Sequence, residues 1–240
     1  MLSDLLVALG LSLSPPAWAE PGACPAGSAS YAIAWTSNVN LERNASGVPT
    51  RAWAVSPDGP ALAVALDFAD PFGAFAFDRP RAAGAGRGHL EIAQSLPHGS
   101  AFTEAVLSFD RPVHTLTLAL DGLDRTSTAG AVLEDRVGAM GMTGTGWIFP
   151  TTLTDGIEAA QEDLRADLGR EPLRKAAGFG PGGMDGPVVL RFKAAVHRVH
   201  LRFGQADAVT GHPVMAAMPQ DMQITDVTFC ARVPTDSLSP

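Results

Sequence analysis

The segment LSFDRPVHTLTLAL, residues 107–120, returns later in the chain as LRFKAAVHRVHLRF, residues 190–203. Leu107, Phe109, Val113, His114 and Leu118 recur as Leu190, Phe192, Val196, His197 and Leu201, with Leu116 matched by Val199. In the first copy Leu107 and Phe109 have one sequence parity, and Leu116, Leu118 and Leu120 have the other. Side chains on a strand alternate between faces, so one core can receive both sets only if the chain turns a corner between them. Asp110-Arg111-Pro112 is the expected place, because proline removes a ladder donor. Each copy thus reads as strand, corner, strand, and the repetition predicts two equivalent corners in one β-structure.

The rest of the chain supports that class. Short alternating segments bounded by Gly, Pro, Asp and Asn predict strands over 30–36, 61–68, 89–94, 101–109, 113–121, 135–140, 188–193, 196–203 and 223–233. Strands without interleaved helices indicate a mainly β fold, an antiparallel β-sandwich or jelly roll. One surface helix is expected over 155–168, with Thr154 or Asp155 as N-cap and Ile157, Ala160, Leu164 and Leu168 on one face. No charged or low-complexity linker divides the chain, so 20–240 reads as a single domain.

Residues 1–19 read as a signal peptide: a short apolar run, Leu5 to Leu13, then Pro15-Pro16 and the small-x-small Ala17-Trp18-Ala19. The run carries no basic side chain before it and contains fewer residues than a membrane span needs; the alternative is an N-terminal strand. The expected location is secreted or periplasmic. Cys24 and Cys230 are the only cysteines. In an oxidising compartment a disulfide is favoured over two buried thiols or a metal site, and closing so long a loop would remove about 5 kcal/mol of unfolded-state entropy. A net charge of −8 argues against nucleic acid, and no mature stretch has the length of a membrane helix.

Motifs of catalysis are discounted on context. Gly178-Phe179-Gly180-Pro181-Gly182-Gly183 spells G-x-G-x-x-G, yet Pro181 interrupts it and a strand follows rather than a helix. Neither G-x-S-x-G nor H-E-x-x-H occurs. His114 and His197 sit just after the corners; as a pair they would be metal ligands or a proton relay, and individually they are rim histidines bonded to the corner backbone.

Phe109-x-x-Pro112-Val113, the alternating leucines, Asp121-Gly122-Leu123-Asp124, then Glu134-Asp135-Arg136-Val137 and a closing 224–230 strand together resemble secreted bacterial β-sandwich domains of the galactose-binding, jelly-roll type. Such domains occur in surface and adhesin-like proteins. The resemblance covers about residues 101–232, with Gly122-Leu123 in place of a single Ile and a long insertion around 155–186. It implies that Asp121, Asp124 and Asp135 converge at one end of the sandwich, where calcium is the fitting cation; turn-forming aspartates are the alternative. It also implies an exported, non-catalytic binding or surface-interaction domain, carbohydrate-binding and calcium-stabilised. The rivals are a glycosidase-like hydrolase with paired acids from Asp121, Asp124, Glu134 and Asp135, and a structural envelope or matrix protein.

The second copy adds a basic stripe. Strand alternation puts Arg191, Lys193, Arg198, His200 and Arg202 opposite the core residues, and the first copy has Thr115, Thr117 and Ala119 where Arg198, His200 and Arg202 stand. On an acidic chain the stripe is a surface for an acidic glycan or anionic envelope component. Its alternative is cross-strand pairing with acids such as Glu91 and Glu104.

Overall fold

The computed structural model describes residues 24–35, 40–75, 80–84, 88–95, 101–123, 125–128, 131–154, 157–160, 188–205 and 219–233. The signal-peptide segment, the glycine-rich 178–183 and Asp124 lie outside them. The strands are β1 (Ser28–Ile33), β2 (Leu41–Arg43), β3 (Pro49–Ser56), β4 (Gly59–Ala69), β5 (Arg81–Ala83), β6 (His89–Ser95), β7 (Phe102–Asp121) and β8 (Arg125–Thr128). There follow β9 (Ala131–Met142), β10 (Trp147–Ile148), β11 (Thr151–Thr154), β12 (Ile157–Ala160), β13 (Val188–Phe192), β14 (Val196–Gln205) and β15 (Pro219–Arg232). Pairing is antiparallel along the order β10-β9-β14-β7-β4-β3-β1-β15-β6-β5. Because β15 also pairs with β7, the strands β7, β4, β3, β1 and β15 close a circuit.

The circuit closes because β7 bends. Its first part, Glu104 to Phe109, lies beside β4, and its last part, His114 to Asp121, lies beside β15. The two predicted strands here are one element of 20 residues. The two copies of the repeat pair with each other: Leu116, Leu118 and Leu120 face Phe192, Leu190 and Val188, the equivalent Val113 and Val196 stand opposite, and Leu107 faces Val199. The repetition is therefore an approximate twofold, each corner packed on the other.

The point at which the core face changes parity differs from the expected one. Leu107, Phe109 and Val113 are all buried, so alternation runs straight through Asp110-Arg111-Pro112. It breaks between Val113 and Leu116, and in the second copy between Val196 and Val199. Each break falls on the repeated histidine and the residue after it, and each coincides with a register shift. In the first copy Thr115 has φ 48°, the only positive φ of a non-glycine residue among those described. A β-branched residue is strained in this region, which a bulge normally gives to glycine. Its hydroxyl donates to Cys230 Sγ at 3.0 Å. His114 and His197 are half-buried, at the rim.

Cys230 is joined to Cys24, with Cα atoms 5.5 Å apart. The bridge attaches the chain ahead of β1 to β15, and such a bond fits an oxidising, extracytoplasmic compartment.

Two expectations need correction. Residues 157–160 are the strand β12, not the start of a helix; residues 161–168 lie outside the described part. Thr154 lies in β11 and pairs with Ile157, and the intervening sequence Asp155-Gly156 is one that favours two-residue hairpins. The strands β2 and β3 were not expected because their buried residues include Ala52 and Ala54, too small to mark a core face.

The second corner is packed tightly against β9. A Cβ on Gly141 would lie 2.7 Å from Val196 Cγ1 and 2.8 Å from Phe192 Cδ1. Gly141→Ala should therefore lower stability by about 1–3 kcal/mol. Urea denaturation measures it, and an unchanged midpoint would contradict the close approach of β9 to the corner.

Candidate ligand-binding face

The two copies use their non-core faces differently. In the first, Thr117 and Ala119 are buried, at 6% and 0% exposure, like the leucines that alternate with them. That face of β7 is covered, and Arg191 and Val189 of β13 lie beside them on it. In the second copy, Arg198 is exposed and His200 is half-buried. Thr117 and Ala119 of the first copy stand where the second has His200 and Arg202, so the fold does not demand basic residues at these positions.

Beside Arg198, His200 and Arg202 on β14 lie Ser108, Val106 and Glu104 of β7 on one side, and Met142, Met140 and Gly138 of β9 on the other. Beyond β9, Trp147 of β10 stands opposite Met142. Glu104 is the hub. One carboxylate oxygen, Oε1, pairs with His200 Nδ1, and the other, Oε2, lies 3.6 Å from Arg202 Nε. Arg202 in turn lies over the ring of Phe102 at 4.4 Å, and Phe102 meets Phe72 edge-to-face at 5.3 Å. At the other end Trp147 meets the His200 ring edge-to-face at 5.1 Å. One contact chain therefore crosses the face: Trp147, His200, Glu104, Arg202, Phe102, Phe72. Its ends are open, Trp147 at 43% exposure and Phe72 at 38%.

The loop carrying Phe72 is held in place by Asp70, whose carboxylate accepts the N–H groups of Ala74 and Phe75 at 2.6 and 2.7 Å. Ser95 N–H donates to Ala74 C=O at 2.9 Å and ties the same loop to β6.

This geometry divides the basic stripe. Arg202 is not outward: it is buried to 8% exposure, packed on Phe102 and beside Glu104. The expected pairing with Glu104 is present for His200 and Arg202, whereas Glu91 binds Arg81 at 2.9 Å. Arg198 donates from Nε to Ser108 Oγ at 3.2 Å and has no carboxylate partner among the described residues. Arg191 is half-buried on β13, opposite Thr117, and Lys193 is exposed at the corner.

Of the aspartates expected to hold calcium, two are among the described residues. Asp121 ends β7 and accepts the N–H of Gly122 at 2.9 Å, a turn-forming role. Asp124 lies outside the described residues, and Asp135 is on β9 opposite Gln205. Among the described residues no group of three His, Cys, Asp or Glu could hold a metal ion.

No protein-family model, curated protein or solved structure matches the chain. What stands is an all-β, antiparallel sheet protein with a disulfide and a polar face bracketed by exposed aromatics. Trp147 and Phe72 were absent from the sequence reading because they lie on β10 and a loop, where no alternation marks them. Only the register of β14 against β7 and β9 brings them to one face.

Electrostatics make Glu104 the titrating support of this face. The His200 hydrogen bond holds its carboxyl below the ordinary value of 4.5, burial opposes this, and Arg202 adds to the lowering. His200 Nε2 is enclosed with no hydrogen-bond partner among the described residues, an arrangement that costs about 1–3 kcal/mol in a protein interior. A folded pKa below the unfolded one means that ionised Glu104 stabilises above the ordinary carboxylate range and loses that contribution as pH falls through the folded value. Glu104→Gln should cost about 1–3 kcal/mol at pH 7, and the gap to wild type should narrow below pH 4.5. Urea midpoints across pH 3 to 7 test this; curves that stay parallel would contradict the ionised pairing.

Proposed function

We propose that this protein is an exported, non-catalytic binding domain, secreted or periplasmic, that takes an acidic glycan or envelope polysaccharide on the face formed by β10, β9, β14, β7 and β4. The contact chain from Trp147 to Phe72 carries the reading. A sugar ring has an apolar C–H side and a rim of hydroxyls. Exposed aromatics take the first, and fixed charged or imidazole groups take the second. Arg198 adds a cation, without a carboxylate partner among the described residues, for a uronate or sulfate group.

The resemblance to galactose-binding, jelly-roll domains supports the same class by analogy of fold. The disulfide agrees with export. Calcium stabilisation through Asp121, Asp124 and Asp135 is a separate part of the proposal, resting on the resemblance alone, and it would appear as a melting temperature lowered by chelator and restored by calcium.

The face itself is tested by affinity electrophoresis in polygalacturonate and alginate gels at low salt. Wild type should be retarded, and Trp147→Ala and Arg198→Thr should each weaken binding about tenfold, near 1.4 kcal/mol, with unchanged circular dichroism. Added salt should release the protein, since part of the attraction is ionic. Wild-type mobility equal to that in plain gels would end the glycan reading. Arg202 is unsuitable for this purpose, because its substitution also disturbs Glu104 and Phe102.

A further inference from the structure

Nδ1 of His200 is committed to Glu104. A carboxylate only accepts hydrogen bonds, so a neutral imidazole in that contact carries its proton on Nδ1 and presents a lone pair at Nε2. That nitrogen has no hydrogen-bond partner among the described residues. The residues facing His200 across the ladders are Val106 and Met140, neither of which has a side-chain donor. The ring also meets Trp147, edge-to-face, on the two-residue strand β10 at one end of the strand order. The two ladder partners therefore supply no donor, and the side chain over the imidazole is the most exposed aromatic of the face.

We infer that His200 is the specificity-determining residue of this face, its Nε2 accepting a hydrogen bond from a hydroxyl of a uronic-acid ring that stacks on Trp147. The inference rests on the glycan reading above and adds the atom that reads the sugar. Glu104 is the positioning residue, fixing the tautomer and the ring plane. Trp147 moves aside from the imidazole edge as the sugar enters and then forms the platform under it. Arg198 takes the ring's carboxylate: it is two residues from His200 on the same strand face, about 7 Å by strand rise, a separation that one sugar ring spans. A ring with the C–H side, the hydroxyl and the carboxylate engages all three residues at once.

Two measurements on the full chain test this. Nitrogen-15 spectra of the histidine rings at pH 8 should show His200 protonated at Nδ1 and bare at Nε2, with the Nε2 resonance shifting when a galacturonate or mannuronate trisaccharide is added. Titration calorimetry with those trisaccharides and their singly deoxygenated analogues should show wild type losing about tenfold in affinity when one particular hydroxyl is absent. His200→Ala should bind more weakly than wild type and be indifferent to that hydroxyl. His200→Gln, which keeps an acceptor, should recover part of the discrimination. A proton on Nε2 in the free protein overturns the inference, as does undiminished discrimination in a folded His200→Ala. Those outcomes leave the glycan reading standing if Trp147→Ala still weakens binding about tenfold. A wild type that binds neither trisaccharide overturns both.

Discussion

The structure depends on how the two copies of the corner pair with each other. Val113 and Val196, equivalent in the two copies, stand opposite one another; on one side Leu116 to Leu120 pair with Phe192 to Val188, and on the other Leu107 pairs with Val199. Four β7 residues, Phe109 to Pro112, stand against His197 alone, and this excess on one strand bends the ribbon. A bent β7 can lie beside β4 with one half and beside β15 with the other, which closes the circuit of strands. The parity break after each corner returns the apolar side chains to the interior. The cost is concentrated at Thr115, held at a positive φ against the disulfide. At that point the corner, the last strand and the bridge to Cys24 meet.

Once two equivalent corners exist, only one needs an open outer side. In the first copy residues 116–120 are buried on both faces, with Thr117 and Ala119 on the outer side. The second carries the Glu104–His200–Arg202 cluster, with aromatics at each end. Part of the charge at those positions is consumed internally, by Glu104. Arg202 stiffens the face and Arg198 is left for solvent or ligand. The same twofold pattern thus yields a structural half and a half open to recognition.

The strand core was legible because its alternation is strong: all nine expected segments lie within or overlap strands. The disulfide was legible from cysteine count and context. The corner was found but placed a few residues early, since Pro112 is a conspicuous breaker while a bulge at His114-Thr115 has no compositional mark when a threonine occupies the left-handed position. The helix over 155–168 failed at 157–160 because Asp155-Gly156 satisfies both an N-cap and a hairpin rule, and pairing with β11 decided between them. The basic stripe was legible as residues but not as a site. Burial of Arg202 and the arrival of Trp147 and Phe72 depend on tertiary register, which alternation within one strand does not encode.

Everything above follows from the register change between the copies, and methyl–methyl nuclear Overhauser contacts measure it directly. In protein labelled at leucine and valine methyls, Leu107 should contact Val199, Val113 should contact Val196, and Leu118 should contact Leu190. This combination requires the excess residues on β7. A ladder running on in register from the Val113–Val196 pair would instead set Leu107 opposite Arg202 and remove its contact with Val199. Absence of the Leu107–Val199 contact, with Val113–Val196 present, would contradict the bent ribbon and with it the open face.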